Sequence, residues 1–204
     1  MKHSILVALL LLAFSGPANL ARAEKADRNK PMNVEADSLR YDDLKQTSVF
    51  TGRVVLTKGT ILIRGARIDV RQDPEGYQYG VVTAEPGKLA FYRQKREGLD
   101  EFIEGEGETI EYDGKADRVK FIKRAELRRY RGSTLADEIV GSLITYDNGS
   151  DTFAVDGGPA STTPGGRVRA VLSPRGPASA PASAAPVAPP AALRPSVTLD
   201  GGKQ

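Results

Sequence analysis

The sequence predicts an all-β fold, a sandwich or rolled sheet of antiparallel strands. Three observations carry that prediction. Apolar residues alternate with period two over much of residues 24–172. Turn-forming clusters interrupt the alternation at near-regular intervals. No stretch of the same span sustains a helical period.

Taken in order, the first strand alternates Met32, Val34 and Ala36 with Asn33 and Glu35. Phe50, Val54 and Leu56 share one parity. Ile61 and Ile63 flank Leu62, and Ile68 and Val70 flank Asp69. Leu89 and Phe91 flank Ala90, and Ile110 and Tyr112 flank Glu111. Val119 and Phe121, Ile144 and Tyr146, and Phe153 and Val155 complete the series. Between them lie the turn signals Lys58-Gly59, Asp73-Pro74-Glu75-Gly76, Glu85-Pro86-Gly87, Asp113-Gly114 and Asn148-Gly149. Asn148-Gly149-Ser150 also fits an N-glycosylation acceptor, but Asn-Gly is a strong hairpin turn and that reading is preferred unless the host glycosylates.

A weak internal repeat supports the hairpins. Tyr112 to Val119 matches Tyr146 to Phe153: a Tyr-Asp pair, a turn, an Asp five residues after the Tyr, then an apolar residue. Tyr41-Asp42 opens a longer third copy that reaches Val49 and Phe50. Charge suggests one register. Acids crowd residues 97–113 and bases crowd residues 118–131. A turn at Asp113 to Ala116 would set Glu111 opposite Arg118 and Ile110 opposite Val119. Solvated strand faces would give the same composition.

The apolar residues have two readings. Met32, Val34, Phe50, Val54, Leu56, Ile61, Ile63, Ile68, Leu89, Phe91, Ile110, Val119 and Phe121 are candidates for a core. A rolled sheet that does not fully close would instead leave an apolar groove. An acyl chain buried there gains about 0.8 kcal/mol per methylene, while the other face of each strand stays wet.

The two ends of the chain differ from its middle. Lys2, the uncharged run Ile5 to Phe14 and the small-x-small site Ala21-Arg22-Ala23 read as a secretory signal peptide over residues 1–23, with the mature chain starting at Glu24. The run is about ten residues, against roughly 20 needed to span a bilayer. Residues 173–204 hold seven of the 13 prolines and read as a Pro/Ala-rich disordered tail. Residues 24–172 are then one folded domain.

Composition excludes several chemistries. Of 29 basic and 26 acidic residues, Lys2 and Arg22 leave with the signal, so the mature chain carries a net charge of +1 and gives no reason to expect nucleic acid. There is no cysteine, and the single histidine is His3 in the signal. A Cys nucleophile, a His base, a Ser-His-Asp triad and a Cys/His zinc site are therefore absent. Gly87-Lys88, Gly114-Lys115 and Gly202-Lys203 are not followed by Ser or Thr, so no phosphate-cradling loop is present. No catalytic residue, metal or cofactor is assigned. A carboxylate-based hydrolase would need a pair of acids in a setting that the sequence does not show.

The segment from Pro31 to Asp42, with Ser48 to Val70, resembles the OstA-like/LptA family of lipopolysaccharide export proteins. Gly87-Lys88-Leu89-Ala90-Phe91-Tyr92-Arg93 is similar to the family's Gly-Lys-Pro-Ala-x-Phe segment, with Leu89 where proline is usual. Gly105-Glu106-Gly107 to Tyr112-Asp113, and Ile139 to Tyr146, continue the likeness, which covers residues 30–172. The resemblance implies a V-shaped open β-jellyroll and a non-enzymatic periplasmic carrier that bridges the inner and outer membranes. It implies lipid A acyl chains between the sheets, end-to-end self-association through edge strands, and contacts with an LptC-like inner-membrane protein and an LptD-like outer-membrane protein. Met32, Val34 and Phe91 are then the first candidates for lipid-facing positions, with Leu56, Ile61, Ile63 and Phe121 added from parity. The alternative is an envelope adaptor that pairs edge strands without holding lipid.

Overall fold

The structure, a computed structural model, describes residue 27 and residues 30–96 and 98–174. The expected signal peptide, and the expected tail beyond residue 174, lie outside the described residues. The strands are β1 (Met32–Glu35), β2 (Ser38–Asp42), β3 (Thr47–Lys58), β4 (Ile61–Gln72), β5 (Gln78–Thr83), β6 (Ala90–Lys95), β7 (Glu101–Gly107), β8 (Thr109–Asp113), β9 (Arg118–Arg131), β10 (Thr134–Asp147), β11 (Thr152–Asp156) and β12 (Arg169–Leu172). A single turn of 3-10 helix, Pro164–Gly166, precedes β12. Every pairing is antiparallel.

Four strands, β3, β4, β9 and β10, run to 12 or 14 residues, and each changes partner midway. Their halves near residues 47–51, 67–72, 118–122 and 143–147 join β2, β5, β8 and β11 in a first leaf, ordered β2-β3-β4-β5-β8-β9-β10-β11. Their other halves join β1, β6, β7 and β12 in a second leaf, ordered β1-β3-β4-β6-β7-β9-β10-β12. Irregular backbone marks the crease. The β3 register shifts between Thr51 and Val54, where Gly52 and Arg53 have φ of 82° and 45°. On β9 the crease falls at Lys123 and Arg124, with φ of 60° and 49°, opposite a shift between Gly141 and Leu143. An extra residue in one strand of a pair bends it and increases its twist, which turns a flat sheet into two facing leaves.

The alternation produces continuous apolar rows. In the first leaf, cross-strand partners run Leu39, Phe50, Ile68, Val82, Ile110, Phe121, Ile144 and Val155. In the second they run Val34, Leu56, Ile63, Tyr92, Gly105, Leu127, Ile139 and Ala170. The rows face each other. Phe121 fills the space where a side chain at position 105 would lie, so only glycine fits there. Its ring meets Tyr92 edge-on, centroids 5.8 Å apart. Such pairs add about 0.5–1.5 kcal/mol beyond their buried area.

The Tyr-Asp repeat has a physical cause. After Asp42, Asp113 and Asp147 the chain makes a four-residue turn before β3, β9 and β11. Each Asp Oδ1 accepts backbone N–H groups of its turn: from Lys45 (3.1 Å), from Lys115 and Ala116 (both 2.9 Å), and from Ser150 (2.9 Å). Each turn ends in a left-handed residue, Gln46, Asp117 or Asp151, with φ of 50°, 53° and 55°. Asp tolerates that conformation better than most residues. This geometry corrects the expected register. Ile110 faces Phe121, Glu111 faces Lys120 and Asp113 faces Arg118, because the turn holds Gly114 to Asp117 and is two residues longer than supposed. A shift of two leaves every side chain on its expected face.

The acidic and basic runs do pair, chiefly between β7 and β9. Arg128 bridges to Glu106 at 3.3 Å, and Arg131 to Glu101 at 3.3 Å. Arg129 forms an ion pair with the buried Asp137, and Asp137 Oδ1 also accepts Ser173 N–H at 2.9 Å.

Candidate functional site

A polar cavity of about 580 Å3 lies between the leaves near the ends of β6 and β10, lined by Thr60, Gln94, Arg96, Tyr146, Asn148 and Asp151. The apolar interior opens at a separate margin. There β1 edges the second leaf and β2 edges the first. Met32 and Val34 of β1 face Phe50 and Val70 across a cleft of about 230 Å3. Its rim is polar but carries no formal charge: Tyr41, Gln46, Ser48, Gln72 and Gln78. All four apolar residues are only partly buried, although each packs against the core. The first-leaf rows run on past the cleft into solvent, with Leu39 58% and Tyr41 55% exposed on β2. The cleft is smaller than the roughly 300–1,000 Å3 typical of small-molecule pockets.

Behind the cleft the apolar surface continues. Met32 is shared with a second space lined by Leu56, Ile61, Ile63, Ile68, Val82 and Tyr112, together with Lys58. Its free volume is about 10 Å3, scarcely enough for one water molecule. The space behind the cleft is therefore largely apolar and closed.

Polar groups cross between the leaves at a few points. Lys58, at the end of β3 in the second leaf, is 6% exposed and donates to Gln78 Oε1 on β5 of the first leaf at 3.2 Å. Its ammonium lies 6.0 Å from the Tyr112 ring centroid. Arg96, after β6 in the second leaf, bridges Glu101 of its own leaf to Asp151 in the turn before β11 of the first. Tyr146 donates to Asp151 Oδ1 at 3.2 Å. Burial pushes the Tyr92 hydroxyl well above the usual tyrosine range, and it donates to Gln94 Oε1 at 2.6 Å as a neutral group. Among the described residues, no group of three or more His, Cys, Asp or Glu side chains is placed to hold a metal ion.

Of the residues expected to face a lipid, Leu56, Ile61, Ile63 and Phe121 point between the leaves and are buried, and Met32 and Val34 line the cleft. Phe91 does not join them. It pairs with Arg64 across β4 and lies under that guanidinium at 5.7 Å, on the outer face. The inward residues of β6 are Ala90, Tyr92 and Gln94, so the parity expected for Leu89 and Phe91 is reversed. With aromatic residues at both 91 and 92, alternation alone does not choose between them. Parity marks Phe50 and Val70 as inward, but their place at the open margin depends on the leaf opposite. The turn signal at Lys58-Gly59 does not mark Lys58 as a contact between leaves, and nothing local marks Gln78.

Comparison with known proteins follows the same outline. A profile described as LptA/(LptD N-terminal domain) LPS transport protein matches residues 33–152. The lipopolysaccharide export system protein LptH of Pseudomonas aeruginosa is 32% identical over 162 residues, spanning 78% of this chain and 87% of that protein. The lipopolysaccharide export system protein LptA of Haemophilus influenzae is 29% identical over 171 residues, 83% of this chain and 90% of its own. A crystal structure of the Pseudomonas LptH, described as the LptA homologous periplasmic component of a conserved lipopolysaccharide transport device, superposes with a TM-score of 0.62 at 28% identity. That match covers 72% of this chain and 99% of the other.

Proposed function

The chain belongs to the LptA/LptD N-terminal domain family of lipopolysaccharide transport proteins, and from that premise we propose that it carries lipopolysaccharide with the lipid A acyl chains held between its two leaves. The family is one of transport proteins, not enzymes, and this member is a periplasmic component of that transport with the family's antiparallel β-jellyroll. The observation that carries the binding mode is the pair of facing apolar rows, which meet solvent at the cleft lined by Met32, Val34, Phe50 and Val70. Each methylene that enters is worth about 0.8 kcal/mol. The uncharged polar rim suits the base of the acyl chains, with the sugar head left in water. Because the space behind the cleft holds about 10 Å3, loading parts the leaves.

In this reading residues 1–23 direct export and are cleaved, residues 24–172 form the lipid-binding domain, and residues 173–204 are an appended tail. The edge strands β1 and β2 at one margin and β11 and β12 at the other supply unpaired backbone groups for end-to-end association. The same edges would receive an LptC-like protein at one end of the bridge and an LptD-like protein at the other.

Photocrosslinking tests the binding mode. A photoreactive residue is placed at Val34, at Phe50 or at Phe91, and each protein is incubated with purified lipopolysaccharide. Adducts at 34 and 50, with none at 91, are the expected result. Folded protein that gives no adduct at 34 or 50 but still assembles end to end would replace the carrier with an edge-pairing adaptor.

A further inference from the structure

We propose that two polar clasps between the leaves, Lys58 with Gln78 and Arg96 with Asp151, hold the apolar interior shut and must open before an acyl chain passes from the cleft into it. The inference rests on the carrier reading. Both clasps join opposite leaves. Lys58 ends β3 in the second leaf and Gln78 begins β5 in the first. Arg96 follows β6 in the second leaf, and Asp151 lies in the turn before β11 in the first.

The position of the first clasp is telling. Lys58 lines the closed interior, Gln78 lines the open cleft, and the bond between them stands at the boundary. The second clasp is sheltered on one side only, since the Arg96 side chain is 13% exposed and Asp151 41%.

Chemistry separates these contacts from the rest of the seam. The core between the leaves is built from apolar side chains such as Ile68, Val82, Ile63 and Leu56. Apolar contact is non-directional, so an entering hydrocarbon chain replaces side-chain contacts with equivalent ones. A hydrogen bond or ion pair has no such substitute in a methylene chain. Parting Lys58 from Gln78, or Arg96 from Asp151, breaks a polar contact that hydrocarbon cannot replace, although Arg96 keeps its Glu101 partner. The polar contacts therefore set the barrier to loading and unloading, while the apolar surface supplies the binding energy. They also favour the closed state of the empty protein, so weakening them raises the population competent to bind.

The experiment compares wild type with Lys58→Met, which keeps the apolar stem, and Asp151→Asn, which keeps the shape. The native chain has no cysteine. Spin labels at introduced cysteines, Thr57→Cys on the second leaf and Glu75→Cys on the first, report the spacing of the leaves by electron–electron double resonance without lipid. Stopped-flow loading of fluorescent lipopolysaccharide reports entry, and thermal melts confirm folding. The expected result is a longer, broader spacing in both variants and loading about 5- to 10-fold faster, the effect of losing one hydrogen bond of ordinary net worth. Unchanged spacing and loading in both folded variants would overturn the clasps while leaving the carrier intact. Widened spacing with no uptake by any protein, wild type included, would overturn the carrier reading instead. Arg96→Gln serves as a second probe of the outer clasp if Asp151→Asn melts early.

Discussion

Phe50 and Phe121 occupy the same apolar row of the first leaf, yet they meet different surroundings. Phe121 reaches across to the second leaf, fills the space over Gly105 and meets Tyr92 edge-on, and it is 0% exposed. Phe50 faces the cleft with Met32 and Val34 and stays half-buried. Both are apolar and both point inward. The difference lies in the opposite leaf, where a glycine admits a whole ring at one place and an edge strand leaves a gap at the other. A row of apolar residues thus becomes core where the two leaves interdigitate and groove where they do not.

Removing the bridging ring should break the contrast most sharply. Phe121→Ala is expected to cost about 3–5 kcal/mol in a denaturant titration, since the side chain is fully buried and the gap lies between two sheets. Blocking its seat is the next largest perturbation. Gly105→Ala drives a methyl group into the Phe121 ring, and a loss of about 1–3 kcal/mol is expected. If it melts like wild type, the two leaves are looser at the filled end than described. Phe50→Ala sharpens the comparison from the other side. With the ring half in solvent, its stability loss should stay near 1 kcal/mol, while lipopolysaccharide capture by a probe at position 34 falls.

The smallest expected effect concerns pH at the filled end. The Arg118 guanidinium, with Ser150 N–H and hydroxyl, holds the Asp147 carboxyl down at about 2, against an ordinary 3.8. The folded value lies below the unfolded one, so the contribution is complete above 3.8 and disappears as pH falls through about 2. Asp147→Asn should flatten that part of the melting profile without altering crosslinking at the cleft. An unchanged acid profile in the variant would show that the turn does not depend on this carboxylate.

The fold was legible because each strand carries its burial in its own alternation, and the hairpins were legible because Tyr-Asp marks a strand end and an Asp that ties down its turn. Register on β8 and β9 was missed by two residues, since turn length depends on where Asp117 takes a left-handed conformation. The side on which β6 faces inward was missed because Phe91 and Tyr92 are both credible core residues. The distinction between core and groove was not legible at all. It depends on contacts such as Phe121 with Gly105, and Lys58 with Gln78, which join residues remote in the chain and on different leaves. Family resemblance supplied the acyl-chain binding mode that no local pattern encodes.

Because β3, β4, β9 and β10 each run unbroken through both leaves, the leaves have four covalent backbones in common. Sliding one leaf past the other would shear the ladders of all four at once. Widening the angle at the crease strains only a few irregular residues, Gly52, Arg53, Lys123 and Arg124 among them. The molecule thus has one soft mechanical coordinate, and every strand keeps its partners along it. A cargo of variable thickness can be gripped and released this way without the carrier unfolding.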